Sequence, residues 1–227
     1  MSWSVRAASS TDPLWQKAVE VSRRNKAWLP GATVFRIELL NGKGELQDTW
    51  EYWYGLSSDG RGGTATRVLK ALRNGEDVTA KEREAQEKRN AEAGSAGNGR
   101  QFGMMGDDPF DPELQARTEA RRIGDARSLA GTPGALYSFR RVLEDGSGIE
   151  GTAILDPATG NPLQVDYSPA PLPRGVFEMR TVLLYDASPA GAGFLTEARV
   201  QGVGGILFLR RNFRMTIALS EYWKNGN

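Results

Sequence analysis

The residue types that carry most hydrolytic and redox chemistry are missing from this sequence: its 227 residues include no His and no Cys. Ser-His-Asp and Cys-His catalysis, thiolate or imidazole metal ligation and a histidine general base are excluded with them. Carboxylates, Lys, Tyr and Ser remain. Asp145 and Glu150 are the types a glycosidase uses as acid and base, which requires two carboxylates at a set separation. Here they flank a hairpin turn and read as solvated charge. Asp107, Asp108, Asp111 and Glu113 offer oxygen donors of the kind calcium or magnesium takes, but lack the spacing and central Gly of a calcium loop. They read as caps in a Pro-broken loop, and no metal is expected. The glycines of GRGG at 60–63 and GVGG at 202–205 have neither the Lys-Ser/Thr of a P-loop nor the strand-to-helix setting of a dinucleotide fingerprint, so tight turns are expected there. The residues offer no constellation for a reaction and no cofactor site.

What the sequence does offer is apolar contact. In QDTWEYWYG, Trp50, Tyr52 and Tyr54 fall on one face of a strand, with Thr49, Glu51 and Trp53 on the other, so aromatic bulk stands on both sides. A Gly-rich stretch, AGSAGNGRQFGMMGD, adds Phe102, Met104 and Met105. One reading makes all of these ordinary core. The other makes them an apolar cavity under a mobile, Met-bearing flap, because Met and aromatic side chains adapt to flexible acyl chains. On the second reading the lipid-contacting set is Trp50, Tyr52, Tyr54, Phe102, Met104 and Met105, the first three being the larger contiguous aromatic set on their strand.

These residues need a sheet to position them, and the pattern supplies one. Asp12 and Pro13 read as the N-cap and first position of an amphipathic helix ending near 24–28. ATVFRIELL alternates into the Asn41–Gly44 turn and returns as the aromatic strand. Thr64 to Arg73 fits strand or helix, and Thr79 with Glu82 reads as a capping box opening a second helix that is charged all round. From about Glu119 onward the chain reads as nearly continuous antiparallel sheet. The firmest piece is GTAILDPATGNPLQVDY: Asp156, Pro157 and Gly160 build a reversal between alternating runs, with Leu163, Val165 and Tyr167 sharing a face. A last strand from Ile206 to Ser220 would span about 50 Å and must twist and curl strongly.

With 29 basic against 28 acidic residues, there is no global field to attract nucleic acid, and no nucleic-acid partner is expected. No run approaches the roughly 18 apolar residues of a membrane-spanning helix. The lack of Cys fits a reducing cytosol and many disulfide-free periplasmic proteins alike.

The DPATGNP reversal, followed by PLPRGVFEMRTVLLYD and by FLTEARVQGVGGILFLRRNFRMTIALSEYW, resembles the outer-membrane lipoprotein-sorting proteins, the periplasmic carriers of the Lol type (LolA/LolB-like). The likeness is best from about Arg121 onward and looser over the first helix and hairpin. It implies a mainly β fold with helices (α+β), a strongly curved antiparallel sheet forming an unclosed β-barrel covered by a few helices, as one domain over residues 1–227. The polar helix and loop at 79–106 stand out from the family as an insertion. The resemblance also implies a non-enzymatic carrier of lipid or lipoprotein acyl chains, with inner- or outer-membrane envelope proteins as partners. MSWSVRAASSTDP has no apolar core, as expected either of a cytosolic protein or of one whose signal peptide has been removed, and the resemblance favours the second, with a periplasmic location. Two other classes stay open: a cell-envelope interaction domain with no ligand cavity, and a carboxylate-dependent hydrolase.

Overall fold

The computed structural model describes residues 11–58, 64–93, 108–186, 192–206 and 209–224. Helix α1 (Pro13–Asn25) is followed by β1 (Trp28–Leu29), β2 (Ala32–Leu40), β3 (Leu46–Ser58), β4 (Thr64–Arg73) and β5 (Glu76–Asp77). Then come helix α2 (Thr79–Ala93) and a 3-10 turn (Pro112–Arg117). Seven strands and a short eighth complete the chain: β6 (Thr118–Arg127), β7 (Pro133–Val142), β8 (Gly148–Leu155), β9 (Pro162–Pro169), β10 (Val176–Asp186), β11 (Phe194–Ile206), β12 (Leu209–Ser220) and β13 (Trp223–Lys224). Eleven strands form one sheet in the order β5-β4-β3-β2-β12-β11-β10-β9-β8-β7-β6, antiparallel in every pair whose register is resolved, and β1 pairs with β13. Because the order has two different end strands, the sheet is open. The mainly β, unclosed antiparallel architecture with few helices is the one expected. Among the described residues no helix is long and apolar enough to cross a membrane.

The chain divides into two compact units, residues 1–26, 107–174 and 179–195 in the first and 27–106, 175–178 and 196–227 in the second.

In the first unit, Asp12 caps α1 by accepting from Leu14 N at 2.9 Å and Trp15 N at 3.3 Å, and Pro13 occupies the position where its missing N–H costs nothing. The apolar stripe of α1 then buries Trp15, Ala18, Val19 and Val21. Trp15 is completely buried, with ring centroids 4.8 Å from Phe110, 5.5 Å from Tyr137 and 6.2 Å from Phe139. Its indole N–H donates to Gln115 Oε1 at 3.0 Å, so the polar handle of a buried Trp is satisfied. The DPATGNP reversal forms as read: Asp156 Oδ1 accepts from Ala158 N at 2.8 Å, and Gly160 has φ +77°. Gly160 has a second task, for a Cβ there would lie 2.4 Å from Lys17 Cβ; glycine lets α1 approach the turn.

In the second unit, Asn41 Oδ1 organises the β2–β3 turn by accepting from Lys43 N at 2.9 Å and Glu45 N at 3.0 Å. Thr64 to Arg73 is strand. Three expectations are corrected. Residues 202–205 are not a tight turn but lie inside β11, where Gly202 pairs with Phe213. A Cβ at 202 would sit 2.4 Å from Glu178 O and 2.7 Å from the Phe213 ring, so the glycine marks close approach within the sheet, not a reversal. The expected strand from Ile206 is consequently two strands, Ile206 closing β11 opposite Leu209 of β12. Thr79 does not form a capping box either: its hydroxyl accepts from Ala71 N at 2.9 Å, while its own N–H goes to Asp77 Oδ1 at 2.8 Å.

Candidate functional site

The aromatic strand β3 lies in the middle of the second unit, and its alternation sorts its side chains cleanly. Register places Met215, Ile37 and Trp50 in one cross-strand row, Ile217, Phe35 and Tyr52 in the next, and Leu219, Thr33 and Tyr54 in a third. The rows extend onto β4 through Arg73, Ala71 and Val68 respectively. Side chains of one parity share a face. Trp50, Tyr52 and Tyr54 are therefore on the same face as these apolar partners. Phe35 meets Tyr54 edge-on at 5.6 Å and Tyr52 stacks on Tyr54 at 6.0 Å.

The opposite parity is polar. Arg36, Arg199 and Arg214 are exposed on it, and Trp53 is covered by Lys70 Nζ, 5.2 Å from its ring centroid. That resolves the aromatic bulk on both sides of β3: three rings belong to an apolar face, and the fourth is an outward cation–π partner.

Burial within the apolar face is uneven. Val68, Ala71, Ile217 and Leu219 are buried, whereas Phe35, Ile37, Trp50, Tyr52, Tyr54 and Met215 are half-buried. Burial raises the phenol pKa of both Tyr52 and Tyr54, and the Glu82 carboxylate of α2 pushes them the same way. At one end of the rows the Arg73 guanidinium stands 5.4 Å from the Trp50 ring centroid and bonds Asp48 Oδ2 at 3.1 Å. Within the face, Thr33 is 1% exposed and its hydroxyl has no hydrogen-bond partner among the described residues.

The other three residues of the expected lipid-contacting set, Phe102, Met104 and Met105, lie outside the described residues. Reading from sequence alone missed Phe35, Ile37 and Met215 as neighbours of the aromatic wall. Their alternation was visible, but the pairing of β2 with β12, distant in the chain, was not.

Asp107 lies outside the described residues, and the other carboxylates weighed for chemistry have structural partners. Asp145 accepts from Ser147 N at 2.9 Å, and this turn contact, with the Ser147 hydroxyl, holds its pKa low. Glu150 faces Arg140 across the β7–β8 ladder. Asp111 accepts from Glu113 N at 3.1 Å, and both acids pair with Lys26. Asp108 accepts from Ser22 Oγ at 2.5 Å and from Phe110 N at 2.9 Å, while its carbonyl accepts from the buried Arg141 at 2.8 Å. The residue as a whole is half-buried but its carboxyl is enclosed, and burial raises its pKa. No cluster of three metal-ligating side chains occurs among the described residues.

No protein-family model and no curated protein matches this sequence. Solved structures do. An outer membrane lipoprotein-sorting protein domain from Vibrio parahaemolyticus is 14% identical with TM-score 0.43, covering 92% of this chain and 93% of that one. A DUF1329 family protein from Desulfovibrio piger is 10% identical with TM-score 0.37, covering 94% of each. The MucA/MucB complex of Pseudomonas aeruginosa contains a chain 12% identical with TM-score 0.24, covering 94% of this chain and 98% of that one. The first bears the name of the family that the sequence resembles.

Proposed function

We propose that the apolar face of the second unit binds the acyl chains of a lipid or lipoprotein, and that the protein is a non-enzymatic carrier or binding protein of the bacterial periplasm. The observation that carries this reading is the half-buried state of a contiguous aromatic and aliphatic set around Trp50, Tyr52 and Tyr54. A fully buried set would be core, and a fully exposed one would promote aggregation. Partial burial on a paired, rigid sheet is what a flexible apolar ligand needs, each methylene removed from water contributing about 0.8 kcal/mol. The periplasmic assignment and the possibility of envelope-protein partners rest on the family resemblance of the sequence.

Thr33 refines the ligand. A buried hydroxyl without a partner costs on the order of 1–3 kcal/mol, and an ester carbonyl would relieve that cost. Acyl esters should then bind better than hydrocarbons of equal length, and Thr33→Val should erase the difference. Mass spectrometry of lipid retained through native purification tests the reading directly. Esterified acyl chains near one per protein support it, and a protein that emerges lipid-free and also fails to take up added lipid refutes it.

A further inference from the structure

Helix α2 raises a question that acyl binding does not answer. Its sequence is polar all round, and among its described side chains only Gln86 is buried, so these side chains set no apolar stripe against β4. Polar bonds hold it instead, and their arrangement is specific. Gln86 accepts from Val68 N at 3.1 Å and donates to Thr66 O at 3.0 Å. A residue of a parallel neighbouring strand would bond the same pair, a carbonyl and the N–H two residues on. Arg83 donates to Val68 O at 2.9 Å and to Leu69 O at 2.8 Å. Thr79 Oγ1 takes Ala71 N, and Val78 N donates to Ala71 O at 3.0 Å. From Thr66 to Ala71 the outward backbone groups of β4 are thus met one after another by α2 and its lead-in, and the short β5 pairs only with Leu72 and Arg73.

A strand edge whose ladder groups are satisfied by side chains is a strand-addition site under a cover. We propose that α2 occupies, in an autoinhibitory way, an edge that accepts an extended, acidic segment of a partner protein. The exchange is near balance, because side-chain-to-backbone bonds are replaced one for one by ladder bonds. A helix of this length without an apolar stripe also has little reason of its own to stay. Charge selects the occupant: β4 carries Arg67, Lys70 and Arg73 and no acidic residue, so an incoming strand with carboxylates opposite these cations is favoured and a basic one repelled. Leu69, 48% exposed, offers one apolar contact. This inference stands whether or not the apolar face carries acyl chains.

The test uses a fluorescein-labelled ten-residue peptide of alternating Glu and Val, a copy with Pro at alternate positions, and two forms of the full-length protein. In Arg83→Ala/Gln86→Ala the cover is loosened, and binding of the alternating peptide should tighten by about tenfold over the parent, two modest hydrogen-bonding contributions having been removed from the competitor. The Pro-containing copy should not bind, and added peptide should slow amide exchange at Val68 and Ala71. Equal affinity of parent and variant, equal binding of the Pro copy, or protection confined to β6 would overturn the proposal. If the double variant does not fold, the parent decides alone: the Val68 amide should exchange well before that of Met215 in β12, and equal protection of the two would overturn the proposal.

Discussion

Each of the two units has a sheet face with apolar side chains and a helix beside it, yet the helices do opposite things. In the first unit α1 presents a stripe of apolar residues and inserts Trp15 among Phe110, Tyr137 and Phe139, leaving Trp15 with no exposed surface. In the second, α2 presents Thr79, Arg83 and Gln86 to the edge of β4, and the aromatic face around Tyr52 stays half-buried. The difference lies in the helix sequences. An amphipathic helix fills a sheet face because burial of its stripe offsets the entropy of fixing it. A helix without a stripe can only satisfy polar groups, and an open edge strand supplies them. Filling makes a core; edge-capping leaves the face half-buried.

Matched truncations of the two tryptophans give the largest expected contrast. Trp15→Ala should destabilise the first unit by about 3–5 kcal/mol, the cost of a cavity that well-packed aromatic neighbours cannot close. Trp50→Ala, on a half-buried face, should cost about 1 kcal/mol and show its main effect in ligand affinity. Chemical denaturation of both variants measures the contrast, and equal losses would mean that the aromatic face of the second unit is also closed core.

The tie between α1 and its sheet should come next. Asp12→Ala removes the helix cap and the acceptor of the Tyr137 hydroxyl, now 2.7 Å away, and should cost about 1–2 kcal/mol. Burial would by itself raise the Asp12 pKa, but the bonds from Tyr137, Trp15 N and Leu14 N hold it low. Its contribution is therefore present above the unfolded value of 3.8 and lost as pH falls through the lower folded value.

Asp108 titrates in the other sense. Burial raises its folded pKa above 3.8, so the fold favours its protonated form, and stability declines as pH rises from 3.8 through the raised value. Asp108→Asn keeps a carbonyl oxygen for Phe110 N and should flatten that part of the pH–stability curve. An unchanged slope in the variant would show that the decline arises elsewhere. The smallest expected effect is that of Thr33→Val, which should leave stability equal or slightly higher, because an unpaired buried hydroxyl is removed.

Much of this contrast was legible in the sequence. The Asp12–Pro13 start and apolar stripe of α1, the Asp156–Gly160 reversal and the alternation of β2, β3 and β12 are local patterns, and local patterns are what sequence shows. The lack of a stripe on α2 was equally visible, but its role was not, because the bonds from Gln86 to Val68 and Thr66 depend on which stretch of β4 the short β5 leaves unpaired. Gly202 misled for a related reason. Glycine serves turns and close approaches alike, and only the positions of Glu178 and the Phe213 ring distinguish the two. The membership of the site was half readable: Trp50, Tyr52 and Tyr54 share a face by parity alone, whereas Phe35, Ile37 and Met215 join them through cross-strand pairing.

The central claim is that the face around Trp50, Tyr52 and Tyr54 takes acyl chains, and a chain-length series tests it most directly. Fluorescent fatty-acyl probes of increasing length would be titrated into the parent and into a folded Tyr52→Asp variant. The parent should gain up to about fourfold in affinity per added methylene, from about 0.8 kcal/mol each, until the face is filled. Tyr52→Asp should lose that gain, because an unpaired carboxylate in an apolar wall is costly. Affinity that does not rise with chain length in the parent, or a folded Tyr52→Asp protein that binds the series as the parent does, would contradict the account.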